Sequence, residues 1–386
     1  MLAVIAIAAL VVTPWLAVAA ALTLLALAAV DGFTVRQAPA LTRSVPPVLS
    51  RGVAAPLKID VTASDGRRVL TRQPATPALE VNAGLLTPLR RGRHELPPVA
   101  SASVGPLGLL TVHHPLGPPE TVRVYPDLVL ANALLTRLRR GLAGHPGRVV
   151  RGPLGLGTDF ESVRDYTPDD DIRQLNWRAT ARMGRPMSNQ YRLERDRDVV
   201  CLLDAGRLMA TMLDPALDAT AVLALAADEL GDRCGAIAFD RAVRAQVAPR
   251  HMGGRKVIET LFDLQPTAVD SDFELAFTRV GRSRRATVIV FTDLIDTAAA
   301  RSLLDGVPML ARRHAVLIAS VADEQLERLA AGADEPRRIV ARDVLATRAA
   351  AAARLGRTGA TVIEAPPRQL AERCLDAYLR AKTRAQ

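Results

Sequence analysis

The stretch that most restricts the fold lies in the second half of the chain, where short apolar runs alternate with helical patterns. The runs DVVCLLD (198–204), CGAIAFD (234–240) and ATVIVFTD (286–293) are almost continuously apolar, and each ends in an aspartate. Uninterrupted apolar strands between helices are typical of a parallel sheet that is covered on both faces. Residues 196–386 are therefore predicted to form a doubly wound, mostly parallel α/β domain. Further strands are expected at 242–248, 315–323 and 360–366, and helices at 216–230, 253–262, 272–280, 297–312, 339–355 and 368–382.

Residues 40–126 follow a different pattern, rich in proline, glycine and short alternating runs. Regularly spaced short strands separated by turn residues are typical of a β-sandwich. This stretch is therefore predicted to be a small β-sandwich-like domain, followed by a connector at 127–195. Its strands are expected at 57–63, 67–73, 78–84, 93–99, 107–114 and 121–126.

The first thirty residues carry no charged side chain. A helix needs about 20 apolar residues to cross a bilayer core. We expect a span from Pro14 to Val30, with Trp15 near one interface and Asp31 ending the helix. Residues 1–31 are thus predicted to be transmembrane, and the part before Pro14 is expected to be the tail of an earlier helix. A cleaved signal peptide is the alternative, but the stretch is too long and lacks a basic start.

Two observations predict where the folded domains lie. Arg36 and Arg43 follow the apolar stretch and no basic residue precedes it, so the positive-inside rule places the domains in the cytoplasm, at the inner (cytoplasmic) membrane. Cys201, Cys234 and Cys374 lie in apolar or helical patterns without a CxxC pair. Buried free thiols in a reducing compartment are therefore expected.

The formal net charge is +10. An excess of positive charge permits binding to nucleic acid, anionic lipid or acidic proteins. The arginines, however, are scattered among acidic residues, and the aromatic residues that stack on bases are scarce. We expect membrane lipid and protein partners, and no nucleic acid.

The segment YTPDDDIRQLNWRATAR (166–182) contains three consecutive aspartates. Thr167 can cap a helix, and Pro168 suits its first position. The aspartates at 169–171 would then fill the first turn, where the helix dipole favours negative charge. A capped helix therefore explains the aspartates without a catalytic role.

Along that predicted helix, Ile172, Leu175 and Ala179 recur at helical spacing and form an apolar face. Trp177 lies off this face and is expected to anchor the segment against a second surface. Catalysis by the aspartates would need a partner base, nucleophile or metal ligand at suitable spacing. The chain contains no HExxH, GxSxG or GxxxxGK[ST] motif. The protein is therefore predicted not to be an enzyme.

The strand that ends at Asp204, the loop and helix after it, and the later acid Asp293 after VIVFT resemble a von Willebrand factor A domain. The resemblance implies a divalent metal at the carboxyl edge of the sheet. Its ligands come from an Asp-x-Ser-x-Ser loop, a threonine on a middle loop and an aspartate after a later strand. Oxygen ligands of this kind suit Mg²⁺.

The first loop departs from that pattern. Gly206 and Leu208 replace the two serines, and Arg207 adds a positive charge that opposes a cation. We therefore expect a degenerate metal site and no bound cofactor. If the site does hold Mg²⁺, its ligands are expected to be Asp204, Ser271, Asp272 and Asp293.

A wider resemblance covers essentially the whole chain. Its spaced residues are Phe160, Arg164, Tyr166, Asp170, Arg173, Trp177, Ala181, Arg182, Tyr191, Glu194, Asp204 and Met209. Supporting segments are RRGRHELPPV (90–99), GPLGL (105–109), VYPDL (124–128) and AYLRAKTR (377–384). Together they resemble a bacterial family of uncharacterised membrane-anchored proteins with an A-type domain, typically encoded beside MoxR-type AAA+ ATPases. Asp169 and Leu175 replace the usual glycine and isoleucine.

The resemblance implies a non-enzymatic adaptor or scaffold that works with the MoxR-type ATPase in assembling or remodelling client proteins. Two alternatives stay open. One is a divalent-metal-dependent hydrolase or protein-binding module that uses the A-type site, and the other is a structural envelope protein that makes contacts through its β domain. The signature residues expected to contact the A-type domain or a partner are Arg164, Tyr166, Asp170, Arg173, Trp177 and Arg182.

Overall fold

The structure is a computed structural model that describes residues 2–62, 67–143, 159–167, 175–192, 197–280, 284–294 and 297–384. The helices in these ranges are α1 (Leu2–Val35), α2 (Leu128–Ala143), α3 (Trp177–Met183), α4 (Leu213–Glu229), α5 (Gly254–Leu261), α6 (Phe273–Val280), α7 (Thr297–Ala311), α8 (Glu324–Ala331), α9 (Glu335–Arg357) and α10 (Pro367–Arg384).

The strands in the same ranges are β1 (Ala40–Ser44), β2 (Leu49–Ser50), β3 (Ala55–Pro56), β4 (Lys58–Thr62), β5 (Arg68–Arg72), β6 (Leu79–Asn82), β7 (Leu85–Pro88), β8 (Gly92–Leu96), β9 (Val99–Val104), β10 (Thr111–Leu116), β11 (Glu120–Tyr125), β12 (Asp159–Asp165), β13 (Met187–Arg192), β14 (Asp198–Asp204), β15 (Arg233–Phe239), β16 (Val243–Arg250), β17 (Ala286–Phe291), β18 (Ala315–Val321) and β19 (Thr361–Ala365). The chain forms two compact units, residues 1–124 and 125–386.

In the first unit, the strands after α1 form four small sheets with the orders β1-β4, β10-β9-β5, β2-β11-β8 and β3-β7-β6. Pairs such as β1 with β4 and β9 with β10 are antiparallel. Leu49, Leu79, Leu86, Leu96 and Val124 are buried together as the core of this unit. The unit is thus all-β outside α1, and its arrangement as a sandwich stays a prediction.

The helix α1 differs from the expected span. It continues through Pro14 and Asp31 to Val35, and the segment Val18–Val35 is long and apolar enough to cross a membrane. Asp31 does not end the helix, because its buried carboxylate accepts hydrogen bonds from the backbone of residues 107–110 and needs no water. The expectation that the helix breaks at Pro14 and ends at Asp31 is therefore wrong.

The strand expected at 107–114 also starts later than predicted. Residues 105–110 form the turn between β9 and β10, and the strand begins only at Thr111. The turn closes with a hydrogen bond from Gly105 N–H to Leu110 O (3.0 Å). A leucine-rich run that reads as a strand is therefore a loop.

The second unit contains the predicted parallel sheet. Its six strands have the order β16-β15-β14-β17-β18-β19. The neighbours from β15 to β19 are parallel, and β16 joins β15 antiparallel at one edge. This confirms the mostly parallel α/β fold.

Helices cover both faces of this sheet. Side chains alternate along a strand, so Val199, Cys201 and Leu203 of β14 face a core shared with α2, α4, α5 and α10. Val200 and Leu202 face the opposite core, shared with α6, α7 and α9. The sheet is doubly wound, as its continuous apolar strands require. The three cysteines, Cys201, Cys234 and Cys374, are buried and free, as expected.

The segment around Trp177 differs from the predicted helix. Residues 168–174, which hold Pro168 and the aspartate triplet, lie outside the described residues. Leu175 forms a β-bridge with Ser188, and α3 begins only at Trp177, capped by the Asn176 side chain (Oδ1 to Ala179 N, 2.9 Å). Asparagine is as good an N-cap as threonine, and the strand pairing of Leu175 excludes a helix through it.

Candidate functional site at the carboxyl edge of the sheet

Three neighbouring strands of the parallel sheet end in buried aspartates. Asp204 ends β14, Asp240 follows β15, and Asp293 follows β17 after Thr292. Ligands of open α/β sheets bind beyond the carboxyl ends of their strands. The parallel pairing of β15, β14 and β17 places the three acids at the same edge of the sheet. This carboxyl edge is therefore the candidate site.

The carboxylate of Asp204 is enclosed by uncharged donors. Its Oδ1 accepts from the Ser271 hydroxyl (2.5 Å) and from the Gly206 amide (2.8 Å), and its Oδ2 accepts from the Thr292 hydroxyl (2.7 Å). The sequence prediction named Asp204 and Ser271, and the structure brings them together. It missed Thr292, which stands beside the predicted Asp293.

Gly206 explains how the first loop has changed. A Cβ at this position would lie 2.3 Å from Ser271 Oγ and 2.7 Å from the Val269 carbonyl oxygen. The middle loop is fixed there, because Arg207 N–H donates to Val269 O (2.9 Å). The Ser271 hydroxyl therefore takes the space that a serine at position 206 would need.

Asp293 has a cation beside it. Its Oδ1 lies 3.3 Å from Arg348 Nη2, and both side chains are buried. Burial raises the pKa of Asp293, and Arg348 offsets only part of that rise. Arg348 also donates to Glu364 (3.1 Å) and to the Val321 carbonyl (2.7 Å), which ties α9 to β18 and β19. Asp293 thus belongs to a buried ion-pair network.

Asp240 is a site residue that the sequence prediction left out. It accepts from the Ala242 amide (2.9 Å), the Thr267 hydroxyl (3.0 Å) and Arg244 (3.0 Å). Burial alone would raise the pKa of Asp240, but these donors together hold it below its ordinary value. The sequence does contain a sign of this role, because the run CGAIAFD (234–240) ends in an aspartate, as the other two core strands do.

Asp272 has a structural role of its own. Its Oδ1 accepts from the Leu275 amide (3.0 Å), so it caps the start of α6. Its neighbour Asp270 forms an ion pair with Arg207, the residue expected to oppose a cation. The middle loop therefore carries two acids, and each is engaged within the protein.

The donor set does not fit a magnesium centre. Asp204 meets two hydroxyls, whereas Asp293 is paired with Arg348 and Asp272 caps a helix. Across the described ranges, no group of three or more His, Cys, Asp or Glu residues is placed to hold a metal. Carboxylates engaged by Arg348 and by a helix terminus would have to give up those partners to bind Mg²⁺.

A groove of about 890 Å³ opens beside this edge, between α6 and α7. Its lining includes Ser271, the aromatic rings of Phe273 and Phe277, and the strongly exposed Met309. Gly306 lets the two helices approach, since a Cβ there would lie 2.4 Å from the Phe277 ring. An apolar floor with polar groups at its rim is typical of a binding pocket.

Four of the six signature residues lie in the described ranges, namely Arg164, Tyr166, Trp177 and Arg182. Tyr166 N–H donates to Pro186 O (2.9 Å), and Arg164 donates to the Asp165 carbonyl (2.9 Å) at the end of β12, which pairs with β13. Arg182 is exposed in the last turn of α3. Asp170 and Arg173 lie outside the described residues.

The expected contact of Trp177 with a second surface stays a prediction. It is 71% exposed, so it does not anchor α3 against the residues that the structure describes. An exposed tryptophan at the start of a short helix is instead available for contact with another molecule. Tryptophan is enriched among the residues that dominate binding energy at interfaces.

Comparison with known proteins places the site within a family match. Residues 162–335 match a family described as "Protein of unknown function DUF58". The matched range contains the described signature residues, Asp204 and Asp293. The match covers less than half of the chain, so it supports the expected resemblance only over this range, while its extent over the whole chain, the ATPase partnership and membrane anchoring stay predictions.

Two mycobacterial relatives are similar to part of the chain. The uncharacterized proteins Rv1480 of Mycobacterium tuberculosis H37Rv and Mb1516 of Mycobacterium bovis are each 26% identical over 183 residues. The match covers 44% of this chain and 56% of each relative, so the chain spans little more than half their length. Among solved structures, the SpRpn10 VWA domain is similar with a TM-score of 0.31 and 11% identity, covering 46% of this chain and 93% of that one.

Proposed function

We propose that this protein is a membrane-anchored, non-catalytic adaptor that works with a MoxR-type AAA+ ATPase in assembling or remodelling client proteins. The observation that carries the proposal is the state of the carboxyl edge. Asp204, Asp240 and Asp293 are each satisfied by donors of the chain itself, and a groove for a partner opens beside them. This arrangement suits a binding surface better than a reaction centre, which needs a group free to act on a substrate.

The groove supplies the contact surface in this proposal. Met309 at its rim is flexible and apolar, and methionine is common at surfaces that adapt to partners. The rings of Phe273 and Phe277 below it provide the kind of apolar floor against which an anchor residue of a partner packs. We place the ATPase contact at this groove and at the exposed Trp177.

The apolar segment of α1 supports anchoring at the inner membrane, with both units in the cytoplasm. The last turns of α1 are built into the β unit, because Asp31, Thr34 and Val35 all hydrogen-bond to it. A secretory signal that leaves the mature protein has no reason to share such bonds. A permanent anchor therefore accounts better for these contacts.

Co-purification tests the adaptor proposal with a matched pair of substitutions. Met309→Asp in the groove and Met252→Asp outside it change side chains that are both 74% exposed. Loss of an interface anchor costs 2 kcal/mol or more, roughly 30-fold in affinity. We expect Met309→Asp and Trp177→Ala to lose the ATPase from the detergent-solubilised complex, and Met252→Asp to retain it. The proposal fails if no ATPase accompanies the unaltered protein, or if both methionine variants retain it equally.

Calorimetry tests the alternative of a metal-dependent hydrolase or binding module. We propose that the edge works without a cofactor, so titration of Mg²⁺ or Mn²⁺ should give no heat that depends on Asp204. Heat of binding that disappears in Asp204→Ala would revive the metal-dependent alternative. Asp334→Ala serves as the companion variant, because Asp334 caps α9, is not among the expected ligands and should leave any such heat unchanged.

A further inference from the structure

The last turns of α1 hold a short loop of the β unit in a fixed position. We call residues 105–110, between β9 and β10, the leucine loop. The Asp31 carboxylate accepts from the amides of Leu107, Leu109 and Leu110, each at 2.9 Å. The side chain of Asp31 is fully buried by this contact. One carboxylate near the end of the helix therefore organises half of the loop.

Two glycines make the contact possible. A Cβ at Gly105 would lie 2.1 Å from Asp31 Oδ1, so only glycine permits the carboxylate to enter the loop. A Cβ at Gly32 of the helix would lie 2.9 Å from Leu110 Cδ1, so Leu110 packs directly on the helix backbone. Both glycines therefore allow the leucine loop to pack closely against α1 at residues 31 and 32.

The end of the helix is tied to the β unit by further bonds. Arg67 donates to the carbonyls of Thr34 (3.1 Å) and Gln37 (2.6 Å), and His114 Nε2 lies 3.0 Å from Val35 O. The final carbonyls of a helix otherwise lack partners. These contacts keep the leucine loop and the last turn of α1 together as one piece.

The surface of this piece is apolar on both elements. Leu107, Leu109 and Leu110 are exposed, and Val30 and Phe33 are exposed on the adjoining turns of α1. Residues 96–119, which include the whole β9–β10 hairpin, contain no Asp, Glu, Lys or Arg. A contiguous exposed apolar patch of this kind marks a membrane or protein contact.

The backbone of the loop favours lipid as the partner. Gly105 N–H donates to Leu110 O, and Gly108 N–H donates to Gly105 O. The amides of Leu107, Leu109 and Leu110 are taken by Asp31, and Pro106 has no N–H. Every backbone donor of the loop is therefore satisfied internally, which removes the cost of taking unpaired N–H groups into a bilayer.

We infer that the leucine loop enters the interfacial layer of the bilayer that α1 crosses, and so holds the β unit against the membrane surface. The inference rests on the proposed anchoring of α1, because the patch continues the apolar surface of that helix. Apolar side chains at this depth bind the headgroup and acyl boundary without spanning it. The loop is thus a second membrane contact beside the helix.

A fluorescent probe in the full chain tests the inference. Leu109→Cys and Leu85→Cys replace leucines of the same unit that are both 45% exposed, in the leucine loop and at the start of β7. The native thiols will not compete for label, because all three are buried and burial raises the pKa of Cys201 to about 12. Each variant is labelled with an environment-sensitive dye and reconstituted in phosphatidylethanolamine–phosphatidylglycerol vesicles, with or without lipid that carries a nitroxide below the headgroup.

We expect the Leu109 probe to shift to shorter wavelength and to lose most of its emission to the nitroxide, while the Leu85 probe keeps its emission. Adding Leu107→Asp to the Leu109→Cys variant should restore the emission, and its melting temperature shows that the fold is kept. Alkaline extraction separates the two ways of failing. Protein that stays in the membrane with equal emission from both probes overturns the loop contact alone, whereas protein released by extraction overturns the anchor and the loop contact together.

Discussion

The two edges of the parallel sheet each bury an aspartate, and the two carboxylates are satisfied in different ways. At the amino edge, Asp232 precedes β15 and accepts from Lys382 Nζ at 2.5 and 2.6 Å and from the Tyr378 hydroxyl. Burial, together with Asp232, raises the pKa of Tyr378, so its hydroxyl remains a donor. At the carboxyl edge, Asp204 accepts from two hydroxyls and an amide, and no cation is paired with it in the described ranges.

The difference separates a structural contact from a candidate binding edge. The amino-edge cluster joins residues 150 positions apart and fastens α10 to the sheet through opposite charges. The carboxyl-edge cluster satisfies Asp204 with two hydroxyls and an amide, and its hydrogen bonds bring no cation to this carboxylate in the described ranges. The amino edge is therefore closed by a buried ion pair, whereas the carboxyl edge is closed by hydroxyl and amide hydrogen bonds.

The largest effect should come from breaking the amino-edge cluster. Lys382→Met leaves Asp232 buried without its cation, and removal of one partner of a buried pair costs about 3–5 kcal/mol. Denaturant unfolding of the full chain in detergent measures this loss. The control is Arg137→Met, which breaks the exposed pair between Arg137 and Glu372 of α10 and should cost about 1 kcal/mol or less. Equal losses in the two variants would mean that the buried cluster does not fasten α10.

A smaller effect is expected from restoring the missing hydroxyl at the carboxyl edge. Gly206→Ser forces its Cβ against Ser271 Oγ and the Val269 carbonyl, and overpacking of this kind costs about 1–3 kcal/mol. Thermal unfolding measures the loss, and Mg²⁺ calorimetry should show no new binding. Gly356→Ser in α9, where a Cβ meets nothing within 4 Å, is the matched control and should be almost neutral. Magnesium binding gained by Gly206→Ser would show that the edge is one substitution away from a metal site.

The smallest effect should appear in the pH dependence of stability, where two acids of the same edge act in opposite directions. The folded-state pKa of Asp240 lies below its ordinary value of 3.8, so its stabilising contribution is present above that pH and is lost as the pH falls through the folded value. The pKa of Asp293 is raised by burial, so the cost of its charge develops as the pH rises through 3.8 towards the raised value. Unfolding free energies of Asp240→Asn and Asp293→Asn, each compared with the unaltered protein from acidic to neutral pH, should therefore diverge in opposite senses. Parallel curves would contradict the assigned directions.

Local pattern was enough to predict most of the second unit. The strand expected at 198–204 matches β14 residue for residue, and the helix expected at 297–312 ends within one residue of α7. The mostly parallel sheet followed, because such apolar runs are stable only when both faces are covered. The helix α2, in contrast, lies in the stretch predicted as a connector, yet Leu135 and Leu138 are buried in the α/β core.

The same kind of pattern failed where a distant contact decides the local structure. Leu175 suits a helical face, but its pairing with Ser188 makes it part of a bridge. The leucines of the leucine loop suit a strand, but their amides donate to the carboxylate of Asp31, more than 70 residues away, and these hydrogen bonds hold the loop as a turn. Neither partner can be found from the residues beside the segment.

The sequence by itself determined the apolar first helix, the change from β to α/β structure, and the acids at strand ends, because each depends on a local pattern; of those acids, Asp204 and Asp293 were named as site residues and Asp240 was not. Only the tertiary structure decided what those acids meet: Arg348 for Asp293, Arg244 and Thr267 for Asp240, and two hydroxyls for Asp204. The physical reason is that a buried carboxylate must be satisfied by some donor, while the identity of that donor depends on which distant segments the fold brings within about 3 Å.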